Sequence, residues 1–533
     1  MTTNMTCGQA AIALLEQYGV DTVFGIPGVH TLDFYRGLAD SSIRHVGVRH
    51  EQGAGFMADG YARASGRPGV CCVITGPGVT NAATPIGQAF SDSVPVLMLS
   101  SVNGSGDLGR GRGRLHEITD QQAAIAPLVS ASHSLRAASE LPVAMADAFD
   151  RFASQRPRPV HIELPLDLLA APALRVETPG ASSAKPGPSP ATVRAAAELL
   201  REAKRPLMLV GGGTVDCAAS VKRLAELTGS PVVVTVAAKG VLPDDHPLCL
   251  GSTLVTDGTQ ALLASADVVL AVGTELAETD SWVDRLEIKG KLIRIDLDPR
   301  TIARDYPATV AILADAGLSL DAIASALDGQ KPAGRIPAAE LERLRQENLS
   351  GWPALQMKHR KVLDAVRAVL PEDGMIASDM TQIAYTGNYY FPMSQPRCWF
   401  HPVGYGTLGY ALPAAIGAKL ARPESACVAI AGDAGFLFTV QELATAVELK
   451  LPIAILLWNN DALGQIAGDM VHKGIPEIAV KPRNPDFQML GKAFGAHVAK
   501  PTGAAQLKKA LTDAFTADGP TLIEVHQNSA WLD

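Results

Sequence analysis

Along the chain, short apolar runs rich in β-branched residues alternate with stretches whose apolar positions recur every three to four residues. That alternation is the pattern of βαβ units, in which parallel strands are joined by crossover helices. Near the start, Thr6-x-x-Gln9 forms a capping box ahead of a helix predicted to end near Gly19. Strands are predicted over 22–24, 43–48, 70–74 and 96–99, and then over 207–210, 232–235, 268–272 and 292–295. In the last third, 375–377, 426–431 and 453–458 read as strands. Between the last two, Val440, Leu443, Ala444 and Val447 recur at helical spacing, and Pro452 closes that helix.

Two stretches break the pattern. Residues 178–190 (TPGASSAKPGPSP) have no apolar periodicity and read as an exposed linker, and 328–337 (DGQKPAGRIP) form a second break. The chain therefore divides into 1–177, 191–328 and 338–533, with the first and last parts alike. The expected fold class is α/β, with three doubly wound parallel-sheet domains, which suits 533 residues at about 150 per domain. A composition 47% hydrophobic and 19% charged supports sizeable cores rather than disorder.

The 46 basic and 54 acidic side chains leave a net charge of −8, and no Lys/Arg block stands out, so nucleic acid is not an expected partner. No apolar run approaches the roughly 18 residues of a membrane span, and the opening MTTNM lacks the basic head and apolar core of an export signal. The expected compartment is the cytoplasm. Seven cysteines without a C-x-x-C pair, among them Cys71, Cys72 and Cys427 in apolar runs, read as buried free thiols.

The chemistry gathers where strands end. The run 426–431 stops at Gly432-Asp433-Ala434-Gly435, where small residues allow close approach of a ligand, and the run 453–458 stops at Asn459-Asn460. Parallel strands joined by one crossover place their carboxyl ends on the same sheet edge, so Asp433 and Asn460 face one crevice. A carboxylate and a carboxamide oxygen are hard ligands suited to Mg²⁺ or Ca²⁺, with phosphate oxygens completing the shell. Taken alone, an Asp after a strand is equally a helix cap or turn former.

The whole pattern is more specific. GDAG, the stretch QELATAVELKLP, an apolar strand and NN, with 27 positions from Asp433 to Asn460, resemble the thiamine diphosphate fingerprint of the family that contains acetolactate synthase and pyruvate decarboxylase. The resemblance implies that Asp433, the Asn460 side chain and the Ala462 carbonyl hold Mg²⁺ against the cofactor diphosphate. Gly432, Ala434 and Gly435 would line that turn, with Ala434 standing where glycine is usual. The segment 401–413 (HPVGYGTLGYALP) is similar to the one that supports the bent cofactor. It makes Leu408 the wedge beneath the cofactor and the Gly406 carbonyl the acceptor for the pyrimidine amino group. A core leucine is the alternative reading of Leu408. In SDMTQ (378–382), Thr381 and Gln382 match diphosphate donors, although Ile383 replaces a histidine common in acetolactate synthases.

In the first third, RHEQGAGFMADGYAR (49–63), preceded by FGIPG with Pro27 and Gly28 and followed by TGPGVTN (75–81), resembles the pyrimidine-binding half of the same enzymes. Glu51 alone would be a first-turn residue satisfying a helix dipole. The resemblance makes it the carboxyl that hydrogen-bonds the pyrimidine ring nitrogen and so promotes loss of the thiazolium proton. A carboxyl buried against an aromatic ring is held protonated by desolvation, as that role requires. In the family Glu51 and Asp433 serve one cofactor from different subunits, which implies a homodimer or homotetramer.

His30 lies on a loop where the family carries substrate-facing side chains, with a surface or capping histidine as the alternative. His116 is a candidate proton shuttle because imidazole titrates near neutrality. GTELAETDSW stands where acetolactate synthases carry a flavin signature, so FAD is doubtful, and LGQIAGDM replaces their Met-Val-x-Gln-Trp substrate segment. LHE, GDAGF and WNNDALGQI look most like the 5-guanidino-2-oxopentanoate (2-ketoarginine) decarboxylases. The expected substrate is thus a small 2-oxo acid, and a cationic side chain would need Glu117, Asp120, Asp461 or Asp469 at the pocket mouth. An acetolactate synthase-type carboligase and a catalytically silent cofactor-binding relative are the competing readings. Gly211-Gly212-Gly213 lacks dinucleotide spacing and reads as a turn.

Overall fold

A computed structural model describes residues 5–173 and 183–533, so residues 178–182 of the expected first linker lie outside the described residues. The capping box forms as expected: Thr6 N donates to Gln9 Oε1 at 2.9 Å, and Gln9 N donates to Thr6 Oγ1 at 3.2 Å, ahead of the helix Cys7–Gln17.

Three parallel sheets carry the chain. The first runs in the order Arg44–Gly47, Thr22–Gly25, Gly69–Val73, Val96–Val102, Val160–Pro165, Ala131–Ser134. The middle sheet is Val232–Val234, Pro206–Val210, Val268–Val272, Lys291–Asp296, Val310–Leu313. The last is Trp399–Phe400, Met375–Ser378, Cys427–Gly432, Ile453–Asn459, Thr521–His526, His497–Ala499. Central strands such as GVCCV and CVAIAG are buried throughout because helices cover both faces.

The first and last sheets share one topology. In each, the earliest strand is second in the order, its successor takes the edge, and the third strand returns to the opposite flank. The reversal creates a switch point beside the first strand, where ligands bind at the carboxyl ends of open α/β sheets. Pro27 and Gly28, Thr381 and Asp433 follow strands at these two points, and Glu51 follows the neighbouring edge strand Arg44–Gly47.

The two like domains meet through the helices Glu51–Ser65 and Ala411–Ala421. Their backbones touch: a Cβ on Gly60 would lie 2.1 Å from Ala414 O, and one on Gly417 would lie 1.9 Å from Met57 O. Only glycine fits at either place.

The helix expected across 440–447 forms as Glu442–Glu448. A shorter helix, Asp433–Phe438, precedes it, and between the two the Thr439 hydroxyl donates to Gly409 O at 2.7 Å. Gly211 to Gly213 do form a turn, and they also line a cavity of about 720 Å³ between the domains, together with Arg63, Asp92, Glu275 and Asp280. All seven cysteines are free, and only Cys217 is not fully buried. Among the described residues no helix is long and apolar enough to cross a membrane.

Candidate active site

Gly432 pairs with Trp458 in the last sheet, so Asp433 and Asn460 leave adjacent strands at the same edge. Asp433 is buried and opens the helix Asp433–Phe438. Burial pushes its carboxyl up. A 2.7 Å hydrogen bond from Asn484 Nδ2 and the N–H groups of Ala434 and Asp461 oppose that rise. Asn460 sits in a tight turn completed by Asp461 at φ +55°, where its Oδ1 accepts from Ala462 N at 3.2 Å and its Nδ2 donates to Gln382 Oε1 at 3.3 Å. Asn484 Nδ2 also reaches Asp461 Oδ1 at 3.3 Å and Asn459 Oδ1 at 3.4 Å, while its own Oδ1 is buried without a partner. An unclaimed buried oxygen beside a carboxylate and a carboxamide is a donor set that fits a hard divalent cation.

The cradle around this edge is backbone-close. A Cβ on Gly432 would meet Thr381 Oγ1 at 2.9 Å, so glycine lets the start of the helix Gln382–Tyr390 approach Asp433. Gly406 has φ +70° in the loop that precedes Ala411–Ala421. Leu408 is half-buried and belongs to none of the hydrophobic clusters around it, which argues against the plain core reading.

In the first domain, His50 caps the helix Glu51–Ser65, with Nδ1 accepting from Gln52 N. Glu51 is the first helical residue, and its Oε2 accepts from Asn81 Nδ2 at 3.0 Å. The buried Glu442 of the last domain accepts from Arg49 N and His50 N at 3.1 and 3.0 Å, which fixes this helix start against the same chain's last domain. Gly28, after the first strand, packs on Ile74 so closely that a Cβ would lie 2.4 Å from its Cδ1; Pro27 beside it is exposed.

His30 and His116, 86 positions apart, meet edge to face with ring centroids 5.0 Å apart. Nδ1 of each is buried without a partner, and burial together with the neighbouring His116 lowers the His30 pKa. His116 is held at φ +62°, its carbonyl close against Gly76, whose N–H donates to Gln121 Oε1 at 2.8 Å. Gln121 in turn donates to Glu163 Oε2 at 2.9 Å.

Three of the four expected substrate acids are engaged locally. Glu117 accepts from Arg112 N and Arg114 N at 3.2 and 2.9 Å. Asp120 caps the helix Gln121–Ile125 through Ala123 N at 2.8 Å. Asp461 is bonded to His526 Nε2 at 2.9 Å. Asp469, exposed on the helix Gly464–His472, accepts from Gln465 Nε2 at 3.2 Å. Its charge reaches Tyr385, whose hydroxyl is pushed up to about 12 by burial first and then by Asp379 and Asp469.

Three family profiles match the chain in order: the thiamine pyrophosphate enzyme N-terminal TPP binding domain over residues 5–124, the central domain over 193–323, and the C-terminal TPP binding domain over 379–525. The chain belongs to the thiamine pyrophosphate enzyme family. It is 51% identical to the probable 2-ketoarginine decarboxylase AruI of Pseudomonas aeruginosa over 530 residues, 99% of this chain and 95% of the relative. It is 32% identical to the acetolactate synthase isozyme 1 large subunit of Escherichia coli over 537 residues, 98% of this chain and 93% of that one.

Thiamine diphosphate is thus the cofactor of this thiamine pyrophosphate enzyme, and the residues at the two switch points suit it. Sequence reasoning had not singled out Asn81, Glu442 or Asn484. Asn81 closes the TGPGVTN motif and was within reach of that signal. Glu442 and Asn484 act across 392 and 51 positions, and nothing local marks either.

Proposed function

We propose that this thiamine diphosphate-dependent 2-oxo acid decarboxylase acts on 5-guanidino-2-oxopentanoate, releasing CO₂ and the corresponding aldehyde. The single observation that carries the substrate is the near-full-length 51% identity to a relative named for 2-ketoarginine.

The bound cofactor supplies a carbanion nucleophile and an electron sink for the departing carboxylate. Every other task falls to the chain. Glu51, with Oε2 anchored by Asn81 and Oε1 left free, would hydrogen-bond the pyrimidine ring nitrogen. Asp433, the Asn460 carboxamide and the Ala462 carbonyl would hold Mg²⁺, and Thr381 and Gln382 would donate to the diphosphate beside Gly432, Ala434 and Gly435. Leu408 and the Gly406 carbonyl would support the cofactor, and Pro27 and Gly28 would border its pyrimidine. The His30–His116 pair, with two unclaimed ring nitrogens, delivers the proton that completes the aldehyde. Asp469 pairs with the guanidinium, and the Tyr385 ring offers it a face.

The assembly is a homodimer or homotetramer in the cytoplasm. Exposed Val29, Leu32 and Leu115 lie beside the first-domain edge, and exposed Tyr405, Phe438 and Ile466 beside the last-domain edge, apolar surface that a second subunit would cover. The free, buried thiols suit a reducing compartment.

Carboligation of acetolactate synthase type is the second reading, favoured by the 32% identity to the Escherichia coli enzyme. The two part on product: stoichiometric CO₂ and aldehyde from the guanidino acid support decarboxylation, and a ligated acid with half the CO₂ per substrate consumed supports the alternative.

A further inference from the structure

The roles above leave one deeply buried carboxylate unused. Asp379 is 1% exposed and follows the strand Met375–Ser378, at the switch point of the last sheet. Its Oδ1 accepts from Met380 N at 2.8 Å, and both oxygens accept from Gly409 N, at 3.1 and 2.9 Å. Burial pushes its carboxyl up to about 7, and the N–H groups of Met380, Gly409, Tyr410 and Ala411 pull the other way, toward the charged form. On its other side it abuts the turn after Asp433: a Cβ on Gly435 would lie 2.8 Å from Asp379 Oδ2. Its own N–H donates to Ile430 O at 2.8 Å, within the strand that ends at Gly432.

The groups around Asp379 are donors. A carboxylate accepts from all of them, whereas a carboxamide would set its own NH₂ against a backbone N–H. The residue held most directly, Gly409, follows Leu408 and lies three positions after Gly406. The same glycine is gripped from its carbonyl by Thr439 Oγ1 at 2.7 Å. The rest of the loop is tied to the first domain: Gly404 N donates to Asp92 Oδ1 at 2.8 Å, and Tyr410 OH donates to Asp59 Oδ1 at 2.6 Å.

We infer that Asp379 is a positioning residue whose buried carboxylate sets, from one point, both the loop carrying Gly406 and Leu408 and the turn carrying Asp433. The pyrimidine-facing and diphosphate-facing parts of the last domain's cradle are thereby held in fixed relation. This rests on the reading that those residues hold thiamine diphosphate.

The test is cofactor binding to the full-length protein, followed by tryptophan fluorescence in Mg²⁺ with thiamine diphosphate as the titrant, alongside circular dichroism and steady-state kinetics. Asp379→Asn should keep native circular dichroism, bind the cofactor about tenfold or more weakly, and at saturating cofactor lower kcat with little change in substrate KM. A folded Asp379→Asn that binds within about twofold of wild type with unchanged kcat overturns the inference. Thr439→Val removes the opposite grip on Gly409 and decides the matter where Asp379→Asn does not fold. Threefold or greater weakening, about 0.65 kcal/mol, supports the inference, and unchanged affinity overturns it. Wild-type protein that fails to bind thiamine diphosphate overturns the function itself, a result distinct from either variant's.

Discussion

Asn81 Nδ2 donates to Glu51 Oε2 at 3.0 Å, so one oxygen of the carboxyl is anchored and the other is turned free at the start of its helix. The anchoring fixes the direction in which Glu51 presents Oε1. Glu51→Gln preserves the side chain's shape and the Asn81 contact on its carbonyl but removes the carboxyl. We expect cofactor binding to survive and kcat to fall by about 10²–10⁴. Asn81→Ala, which frees the carboxyl to rotate, should cost about tenfold in kcat. Stopped-flow or steady-state CO₂ release measures both, and full activity in Glu51→Gln contradicts the role.

Asp433 and Asn484 form the core of the cation prediction. Chelation of Mg²⁺ should release thiamine diphosphate, and Asp433→Ala should abolish Mg²⁺-dependent binding. Asn484→Ala removes the amide that orients Asp433 and the buried oxygen beside it, so its half-saturating Mg²⁺ concentration should rise about fivefold or more. Titrating Mg²⁺ at fixed cofactor reads all three.

The guanidinium partner is tested by charge. Asp469→Asn should raise KM for 5-guanidino-2-oxopentanoate about tenfold, the size of one charge-assisted hydrogen bond at about 1.5 kcal/mol. For an uncharged 2-oxo acid of similar length KM should stay within about twofold. Parallel rises for both substrates would remove Asp469 from recognition.

His161 supplies a stability prediction. It is fully buried between Ser100 Oγ and Ser132 Oγ, and desolvation pulls its pKa down to about 3 from 6.5. Between those values the unfolded state binds a proton that the folded state refuses, so the contribution is full above pH 6.5 and is lost as pH falls. At pH 5 the loss is about 2 kcal/mol relative to pH 7. Urea unfolding of wild type and His161→Gln at both pH values isolates it: wild type should lose about that much more than the variant on acidification. An equal loss in the two proteins contradicts a neutral buried imidazole.

Much of the site was legible because turn chemistry is local. GDAG and NN end adjacent strands of the last sheet, so its topology brings those two to one edge, while RHEQGA follows a strand of the first sheet. What stayed hidden depends on encounters between distant segments. His30 meets His116 only because Gly76 and Gln121 hold the second loop in a left-handed bend. Thr439, between the helices Asp433–Phe438 and Glu442–Glu448, bonds the carbonyl of Gly409, 30 positions away. Composition cannot separate Asp469 from Glu117, Asp120 and Asp461. The backbone and histidine partners that occupy the other three become visible only in the fold.

The most direct measurement is CO₂ release from 5-guanidino-2-oxopentanoate by the purified protein, with and without thiamine diphosphate and Mg²⁺, with products followed by mass spectrometry. One CO₂ and one aldehyde per substrate, lost when either the cofactor or Mg²⁺ is withheld, is the expected result. Turnover that persists without thiamine diphosphate, or no turnover of any 2-oxo acid in its presence, would contradict the assignment of the two sheet edges to that chemistry.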